Sequence, residues 1–76
     1  MIKVRIIFMG SLKDKYLKDT FELNYEKPVK VYEVLRDATI SSIDTSIITV
    51  DGVIVPEDFL ITESDEVKLF PFIDGG

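Results

Sequence analysis

The chain contains neither cysteine nor histidine among its 76 residues. Their absence excludes disulfide bonds, thiolate nucleophiles, zinc sites built from these ligands, and acid–base catalysis by histidine. Basic residues are also scarce, since 9 Lys and Arg stand against 14 Asp and Glu, for a net charge of −5. Binding to nucleic acid or to an anionic membrane depends on basic patches, so this charge favours a protein partner with a basic face.

Long apolar runs are missing as well. No segment approaches the ~20 apolar residues that a membrane-spanning helix needs. The run Ile6–Met9 is too short for the apolar region of a signal peptide. We therefore predict a cytoplasmic protein with one small domain, and a chain of this size buries only about 60% of its unfolded surface.

The apolar pattern changes period along the chain. Ile2, Val4, Ile6 and Phe8 alternate with other residues, which predicts a strand with one buried face. The helical stripe lies within Val31–Ala38, where apolar residues recur at i, i+3, i+4 and i+7. Further strands are predicted at Thr20–Leu23, Ile47–Val50, Val53–Val55 and Glu66–Phe70.

This order predicts an α+β domain, with a mixed sheet of four to five strands and one main helix packed on one face. The first and last strands are the most apolar, so we expect them to be parallel neighbours in the centre of the sheet. Asp51-Gly52 predicts a two-residue hairpin. We expect a loop over Lys13–Lys18, and a connection over Glu57–Ile61 that places Phe59 or Leu60 in the core.

The last seven residues carry the strongest functional signal. Pro71 has no N–H group for a ladder, so the pairing of the last strand should end near Phe70. We therefore divide the chain into a domain over 1–72 and a flexible Gly-Gly tail over 73–76. A terminal carboxylate is ionised at neutral pH and is a poor electrophile, but ATP can activate it as an acyl-adenylate. Gly75 and Gly76 have no side chain to block the carbonyl of Gly76; the alternative is an ordinary frayed end.

Aromatic residues beside the tail indicate a docking surface. If Val67 and Leu69 face the helix, Phe70 lies on the other face of the sheet together with Ile7, and Phe72 follows. Exposed apolar groups on a small acidic domain favour a protein contact. The alternative is that a loop covers them or that they belong to the core. The remaining candidate site is a group of carboxylates that lacks calcium-loop spacing, so we predict no metal site and interpret it as a solvated acidic edge: Glu57, Asp58, Glu63, Asp65 and Glu66.

Several stretches together resemble one family. Val31-Tyr32-Glu33-Val34-Leu35 is similar to a helix opening that often reads Thr-Val-x-Glu-Leu-Leu. Val50-Asp51-Gly52 resembles a Val-Asn-Gly hairpin, and Glu63–Val67 a Gly-Asp-Glu-Val turn. Phe70–Gly76 resembles an apolar-Pro-Pro-x-x-Gly-Gly tail. With the first strand Ile2–Phe8, these motifs cover the whole chain, and it resembles the ubiquitin-like β-grasp sulfur carriers of the MoaD/ThiS family.

The resemblance implies a non-catalytic co-substrate. In that family an enzyme related to ubiquitin-activating enzymes uses ATP to adenylate the terminal glycine, here Gly76, which is then converted to a thiocarboxylate. No cofactor is bound by the carrier itself. In the molybdenum-cofactor branch, the carrier is the small subunit of molybdopterin synthase, and its tail enters the large subunit. Ile73, Asp74 and Gly75 would then be tail residues held by the partner, beside Phe70, Phe72 and Ile7.

Besides the molybdopterin branch, three functions remain open from the sequence, and one of them is a β-grasp binding module that never uses its C-terminus. Pro71 and the first strand favour the molybdopterin branch, whereas Val53–Pro56 favours sulfur delivery for the thiazole of thiamine. A ubiquitin-like modifier conjugated to lysines through Gly76 shares the activation step. Lys30, Ser64 and Phe72 depart from the family pattern, and Lys30 offers no oxygen to cap the helix.

Overall fold

The computed structural model describes residues 1–41 and 45–72, except for the side chain of Ser46. Its elements follow one another along the chain as short strands and two helices. They are β1 Ile2–Phe8, α1 Leu12–Tyr16, β2 Thr20–Tyr25, β3 Val29–Lys30, α2 Val31–Asp37, β4 Thr45–Val50, β5 Val53–Ile54, β6 Leu60–Ile61 and β7 Asp65–Pro71.

The main sheet has five strands in the order β2-β1-β7-β4-β5. The pair β1 and β7 is parallel, with Ile6 opposite Val67, and the other neighbours are antiparallel. The mixed sheet and the parallel pairing of the first and last strands are therefore confirmed. β7 is the middle strand, and its residues 65–69 pair with β1 while its residues 67–71 pair with β4.

The helix α2 covers one face of this sheet. Its residues Val31, Val34 and Leu35 are buried, as the apolar stripe predicted, and they pack with Ile6 and Leu69 in one core. Strand alternation directs every second side chain of β1 and β7 toward this core. No helix of the described ranges is long and apolar enough to cross a membrane.

The start of α2 is stabilised by the Glu33 side chain and by backbone carbonyls before β6. Lys30 precedes the helix and makes no side-chain cap. The Glu33 carboxylate accepts a hydrogen bond from the Lys30 N–H at 3.0 Å. The N–H groups of Val31 and Tyr32 donate to the carbonyls of Phe59 and Glu57, at 3.0 and 2.9 Å. The carbonyls of the segment before β6 thus accept hydrogen bonds from N–H groups that would otherwise need a capping oxygen.

The predicted loop over Lys13–Lys18 is wrong, because this stretch contains α1. Leu12 is only 2% exposed and belongs to the core. The Tyr16 ring stacks on Phe8 with 5.4 Å between ring centroids. Leu12 and Tyr16 are four residues apart and therefore lie on one side of a helical turn. The contacts of Leu12 and Tyr16 stabilise this short helix, which the charged sequence of Lys13–Lys18 does not indicate.

The prediction for Glu57–Ile61 is also wrong. Phe59 and Leu60 are 37% and 45% exposed, and Ile61 is the buried residue, with 0% exposed. Ile61 pairs with Val29 in a separate two-stranded sheet formed by β3 and β6. This pairing directs the Ile61 side chain into the core. The register between two segments that are distant in the chain therefore determines which residue is buried.

The end of β7 differs from the prediction by one residue. Pro71 still pairs with Thr45, beyond a bulge between Thr45 and Ile47. Proline keeps its carbonyl as an acceptor, and a bulge tolerates a missing N–H group. Gly10 has a φ of +55°, and a Cβ built there would lie 3.2 Å from Pro71 Cγ. Glycine therefore allows the end of β1 to lie closely against the end of β7.

Candidate functional site

The sheet face opposite α2, here called the open face, carries the sequence-predicted docking residues. Val67 and Leu69 are fully buried beneath α2. Phe70 follows Leu69 on β7 and projects to the open face, because neighbouring side chains of a strand alternate. Ile7 lies between the buried Ile6 and Phe8 on β1 and projects to the same face. Both side chains are partly buried, so they belong neither to the core nor to a fully exposed surface.

Strand register adds β4 and β5 to this surface. Ile47 lies opposite Phe70, and Ile54 lies opposite Thr49. Ile47 is 41% and Ile54 is 69% exposed. We call the surface formed by Ile7, Ile47, Thr49, Ile54, Lys68 and Phe70 the open-face patch. It is a largely apolar surface on a small acidic domain, with Ile47 and Ile54 as its exposed members, and other proteins bind surfaces of this kind.

The sequence did not predict Ile47 and Ile54 as site residues. Ile47–Val50 is nearly continuous in apolar residues, so its alternation does not reveal which side chains face the helix. The hairpin at Asp51-Gly52 was confirmed, and both residues have positive φ angles of 52° and 82°. The exposed pair in β4 and β5 was detectable only from the register of this hairpin against β7.

The other half of the open face is charged and internally paired. The Arg5 guanidinium lies 3.0 Å from a Glu22 oxygen and 3.8 Å from a Glu66 oxygen. The backbone N–H of Lys3 donates a hydrogen bond to Ser64 Oγ at 2.9 Å. Such exposed ion pairs contribute little to stability, typically about 0–1 kcal/mol. This half therefore forms a polar edge beside the open-face patch.

A shallow hollow of about 330 Å³ lies beside these ion pairs. It is lined by Lys3, Arg5, Asp51, Ser64, Asp65 and Glu66. Burial, followed by the charges of Asp51 and Glu63, raises the pKa of the Asp65 carboxyl above its usual value. Arg5 and Glu66 form an ion pair in this hollow, and Asp65 and Glu66 are two of the five residues predicted as a solvated acidic edge.

The tail follows directly from the middle strand. Phe72 comes after β7 and is 60% exposed. Ile73, Asp74, Gly75 and Gly76 lie outside the residues that the structure describes. The roles of these four residues therefore remain predictions. What the structure adds is their attachment point, at the end of a strand paired on both sides and beside Phe70 in the open-face patch.

The three tyrosines, interpreted from sequence as packing residues, have different surroundings. Tyr16 stacks on Phe8, and its hydroxyl accepts a hydrogen bond from the Ser41 N–H at 3.2 Å. The Tyr25 hydroxyl donates to Asp37 at 2.8 Å. Burial, and then the bond to Asp37, raise the pKa of Tyr25. Tyr32 is 46% exposed and is not a core residue.

Three solved structures share this fold. A Pyrococcus furiosus protein named molybdopterin converting factor subunit 1 is 17% identical over 96% of this chain and 100% of its own, with a TM-score of 0.75. The SAMP1 protein of Haloferax volcanii is 15% identical over 97% and 99%, with a TM-score of 0.81. Small archaeal modifier protein 1 of Methanosarcina acetivorans is 19% identical over 100% and 98%, with a TM-score of 0.75. These TM-scores show a shared β-grasp fold.

The sequence itself matches a family over almost its full length. No curated protein matches the chain. The family model described as "ThiS family" matches residues 6–76, from the middle of β1 through both terminal glycines. The match agrees with the mixed sheet, its parallel central pair and the position of α2 on one face. The chain therefore belongs to the ThiS family of ubiquitin-like, β-grasp sulfur carriers.

Proposed function

We propose that the chain carries sulfur on Gly76 as a thiocarboxylate and donates it in the biosynthesis of molybdopterin. The observation that carries this proposal is the family match, which runs through residue 76 and so includes the Gly-Gly end. The fold supports the proposal, because β7 is the middle strand and leads straight into the tail. A rigid strand with a short tail suits delivery of a reactive end into a partner's site.

The chemistry requires a partner for each step. A carboxylate oxygen of Gly76 attacks the α-phosphorus of ATP on an activating enzyme, and pyrophosphate leaves. Hydrosulfide then attacks the carbonyl carbon of the adenylate, the bond from that carbon to the AMP oxygen breaks, and AMP, a proton and the thiocarboxylate result. The chain has no histidine or cysteine of its own to assist these steps. It therefore acts as a co-substrate, and ATP binds to the activating enzyme.

The open-face patch and Phe72 are the proposed docking surface. The first partner is an adenylating enzyme related to ubiquitin-activating enzymes, and the second is the large subunit of molybdopterin synthase. Phe70 and Ile7 would contact the partner on the open face, and Phe72 would contact it at the start of the tail. Ile73, Asp74 and Gly75 would occupy the channel that leads to the reacting Gly76. Because activation consumes ATP, we propose a cytoplasmic location.

The molybdopterin branch is favoured by the tail proline, Pro71, and by the first strand. The fold likeness to a protein named molybdopterin converting factor subunit 1 is consistent with this branch. The alternative sulfur acceptor is the thiazole of thiamine, which Val53–Pro56 favours. Both branches use the same thiocarboxylate, so the acceptor alone distinguishes them.

A second candidate function is a ubiquitin-like modifier joined to lysines through Gly76. The fold likeness to small archaeal modifier proteins favours this candidate. Modification shares the adenylation of Gly76 but uses a lysine amine as nucleophile. Isopeptide-linked conjugates in cells, absent when Gly76 is deleted, would favour it over the sulfur carrier.

The deciding measurement is the intact mass of the protein after incubation with ATP, an adenylating enzyme from the same cell and a sulfur donor. We expect a mass gain that corresponds to one oxygen replaced by one sulfur. Deletion of Gly76 should abolish the gain and leave the fold unchanged. The thiocarboxylate form is then mixed with the large subunit of molybdopterin synthase and its substrate, and separately with a thiazole-forming enzyme.

The control is a chain that lacks Gly75 and Gly76. Its circular dichroism and thermal midpoint should match those of the intact chain, because the buried core lies between Val4 and Leu69 in the sequence. An intact chain that stays unmodified beside a demonstrably active adenylating enzyme would contradict the sulfur-carrier proposal.

A further inference from the structure

One cross-strand row of the open face contains two polar side chains between apolar ones. Ile7 lies opposite Lys68, Lys68 opposite Thr49, and Thr49 opposite Ile54. Side chains directly opposite on neighbouring strands have Cβ atoms about 5 Å apart. Thr49 and Lys68 therefore lie side by side in the middle of the open-face patch.

Thr49 lacks a hydrogen-bond partner although it is buried. The residue is 8% exposed. Its Oγ1 is the buried side-chain polar atom for which the described part of the chain provides no partner. Leaving a buried hydroxyl unpaired is unfavourable, and a valine would fill the same volume without this cost. The hydroxyl is thus unfavourable for the isolated fold.

Lys68 is a cation of this face for which the described residues provide no ion-pair partner. Arg5, in the charged half, lies within ion-pairing distance of Glu22 and Glu66. For Lys68, residues 1–41 and 45–72 provide no ion-pair or hydrogen-bond partner. Its side chain is partly buried, next to Ile7 and Thr49. A cation and a hydroxyl, adjacent and without partners, thus lie within an apolar surface.

A carboxylate satisfies both groups at once. It accepts several hydrogen bonds and carries the charge opposite to that of lysine. We propose that Thr49 and Lys68 form a subsite for one Asp or Glu side chain of the activating enzyme, which docks on the open-face patch. Lys68 supplies charge and the Thr49 hydroxyl donates a hydrogen bond after rotation about χ1. The inference rests on the proposed function, because that function names the partner.

The test measures binding of the intact chain and its variants to the adenylating enzyme by isothermal titration calorimetry. Thr49→Val and Lys68→Met each remove one polar group and keep the volume of the side chain. Each should weaken binding about tenfold, as expected for the loss of a hydrogen bond or ion pair to a charged group. The double variant should lose less than the product of both effects, because the two residues share one carboxylate. Thr49→Ser keeps the hydroxyl and should bind nearly as the wild type does.

Matched controls come from the same sheet face. Thr20→Val changes a threonine opposite Ile7 on the other side, and Lys3→Met removes a lysine from the charged half. Neither should change the affinity. The thermal midpoint provides a second readout, since Thr49→Val should raise it while binding falls. A residue with a purely structural role would not produce opposite changes in stability and affinity.

Two results would overturn the inference. One is unchanged affinity in both Thr49→Val and Lys68→Met, and the other is no binding of the intact chain to the adenylating enzyme.

Replacing the partner's carboxylate residue by lysine should restore affinity for Lys68→Glu. The same titration with a chain lacking Gly75 and Gly76 separates docking from chemistry. Binding that depends on Thr49 and Lys68, without any adenylation of Gly76, would support the subsite and contradict the sulfur-carrier function.

Discussion

At the residue scale, Leu17 combines an unfavourable backbone conformation with an exposed side chain. It follows α1 with a φ of 56° in the left-handed region. Its side chain is 87% exposed. A non-glycine residue in this region costs roughly 1–2 kcal/mol because its Cβ approaches the following carbonyl. Glycine is the residue that usually occupies such a position after a helix.

Leu17→Gly should therefore stabilise the domain by about 0.5–1 kcal/mol, since relief of strain exceeds the entropy that glycine adds to the unfolded chain. For a domain of this size, 1 kcal/mol raises the thermal midpoint by about 4–8 °C. Thermal unfolding followed by circular dichroism measures the change. Leu17→Ala is the matched control and should be neutral, because alanine keeps the Cβ. An equal gain in both variants would show that removal of an exposed leucine, and not backbone strain, is responsible.

At the scale of elements, a single hydrogen bond joins the end of β2 to the end of α2. The Tyr25 hydroxyl donates to the Asp37 carboxylate at 2.8 Å, and Asp37 is the last residue of α2. Burial and this bond both favour the neutral phenol and raise the pKa of Tyr25. The contribution of this bond is therefore present below the ordinary tyrosine pKa of about 10 and is lost as the pH rises above it.

Tyr25→Phe should cost about 1 kcal/mol of unfolding free energy at neutral pH, which is typical for one hydrogen bond. The difference between wild type and variant should shrink as the pH rises above about 10. Urea denaturation at several pH values measures it. Tyr32→Phe is the matched control, because Tyr32 lies on α2 and is 46% exposed. A constant difference across this pH range would contradict the proposed linkage between Tyr25 ionisation and folding.

At the scale of the whole molecule, stability depends on the contact between the two ends of the chain. β1 and β7 are parallel neighbours, and Ile6 and Val67 are both fully buried where they meet. A small domain has a thin core and a total stability of only about 5–15 kcal/mol. The same strand β7 precedes the tail in the sequence, so under the proposed function this central pair also stabilises the strand that leads to Gly76.

Ile6→Ala should cost about 2–5 kcal/mol, because it leaves a cavity in the central pair. A loss of that size is a large part of the total and should lower the urea midpoint strongly. Ile54→Ala is the control on the open face, where Ile54 is 69% exposed, and it should change stability by less than about 0.5 kcal/mol. Comparable losses in the two variants would contradict the assignment of Ile54 to a surface and Ile6 to the core.

The sequence by itself determined the elements with a clear period and the family. Ile2–Phe8 alternates with period two and Val31–Ala38 repeats at helical spacing, so β1 and α2 followed from side-chain direction alone. Asp51-Gly52 identified the hairpin because few residues adopt its positive φ angles. The Gly-Gly end and the order of motifs indicated the family, which the match over residues 6–76 confirmed.

Only the tertiary structure decided which residues of aperiodic segments are buried. α1 forms because Leu12 and Tyr16 contact the core, and Ile61 is buried because β6 pairs with β3. The exposure of Ile54 and the unpaired Thr49 hydroxyl depend on the register of β4 between β7 and β5. These features come from contacts between residues far apart in the chain, and no local pattern of residues contains that information.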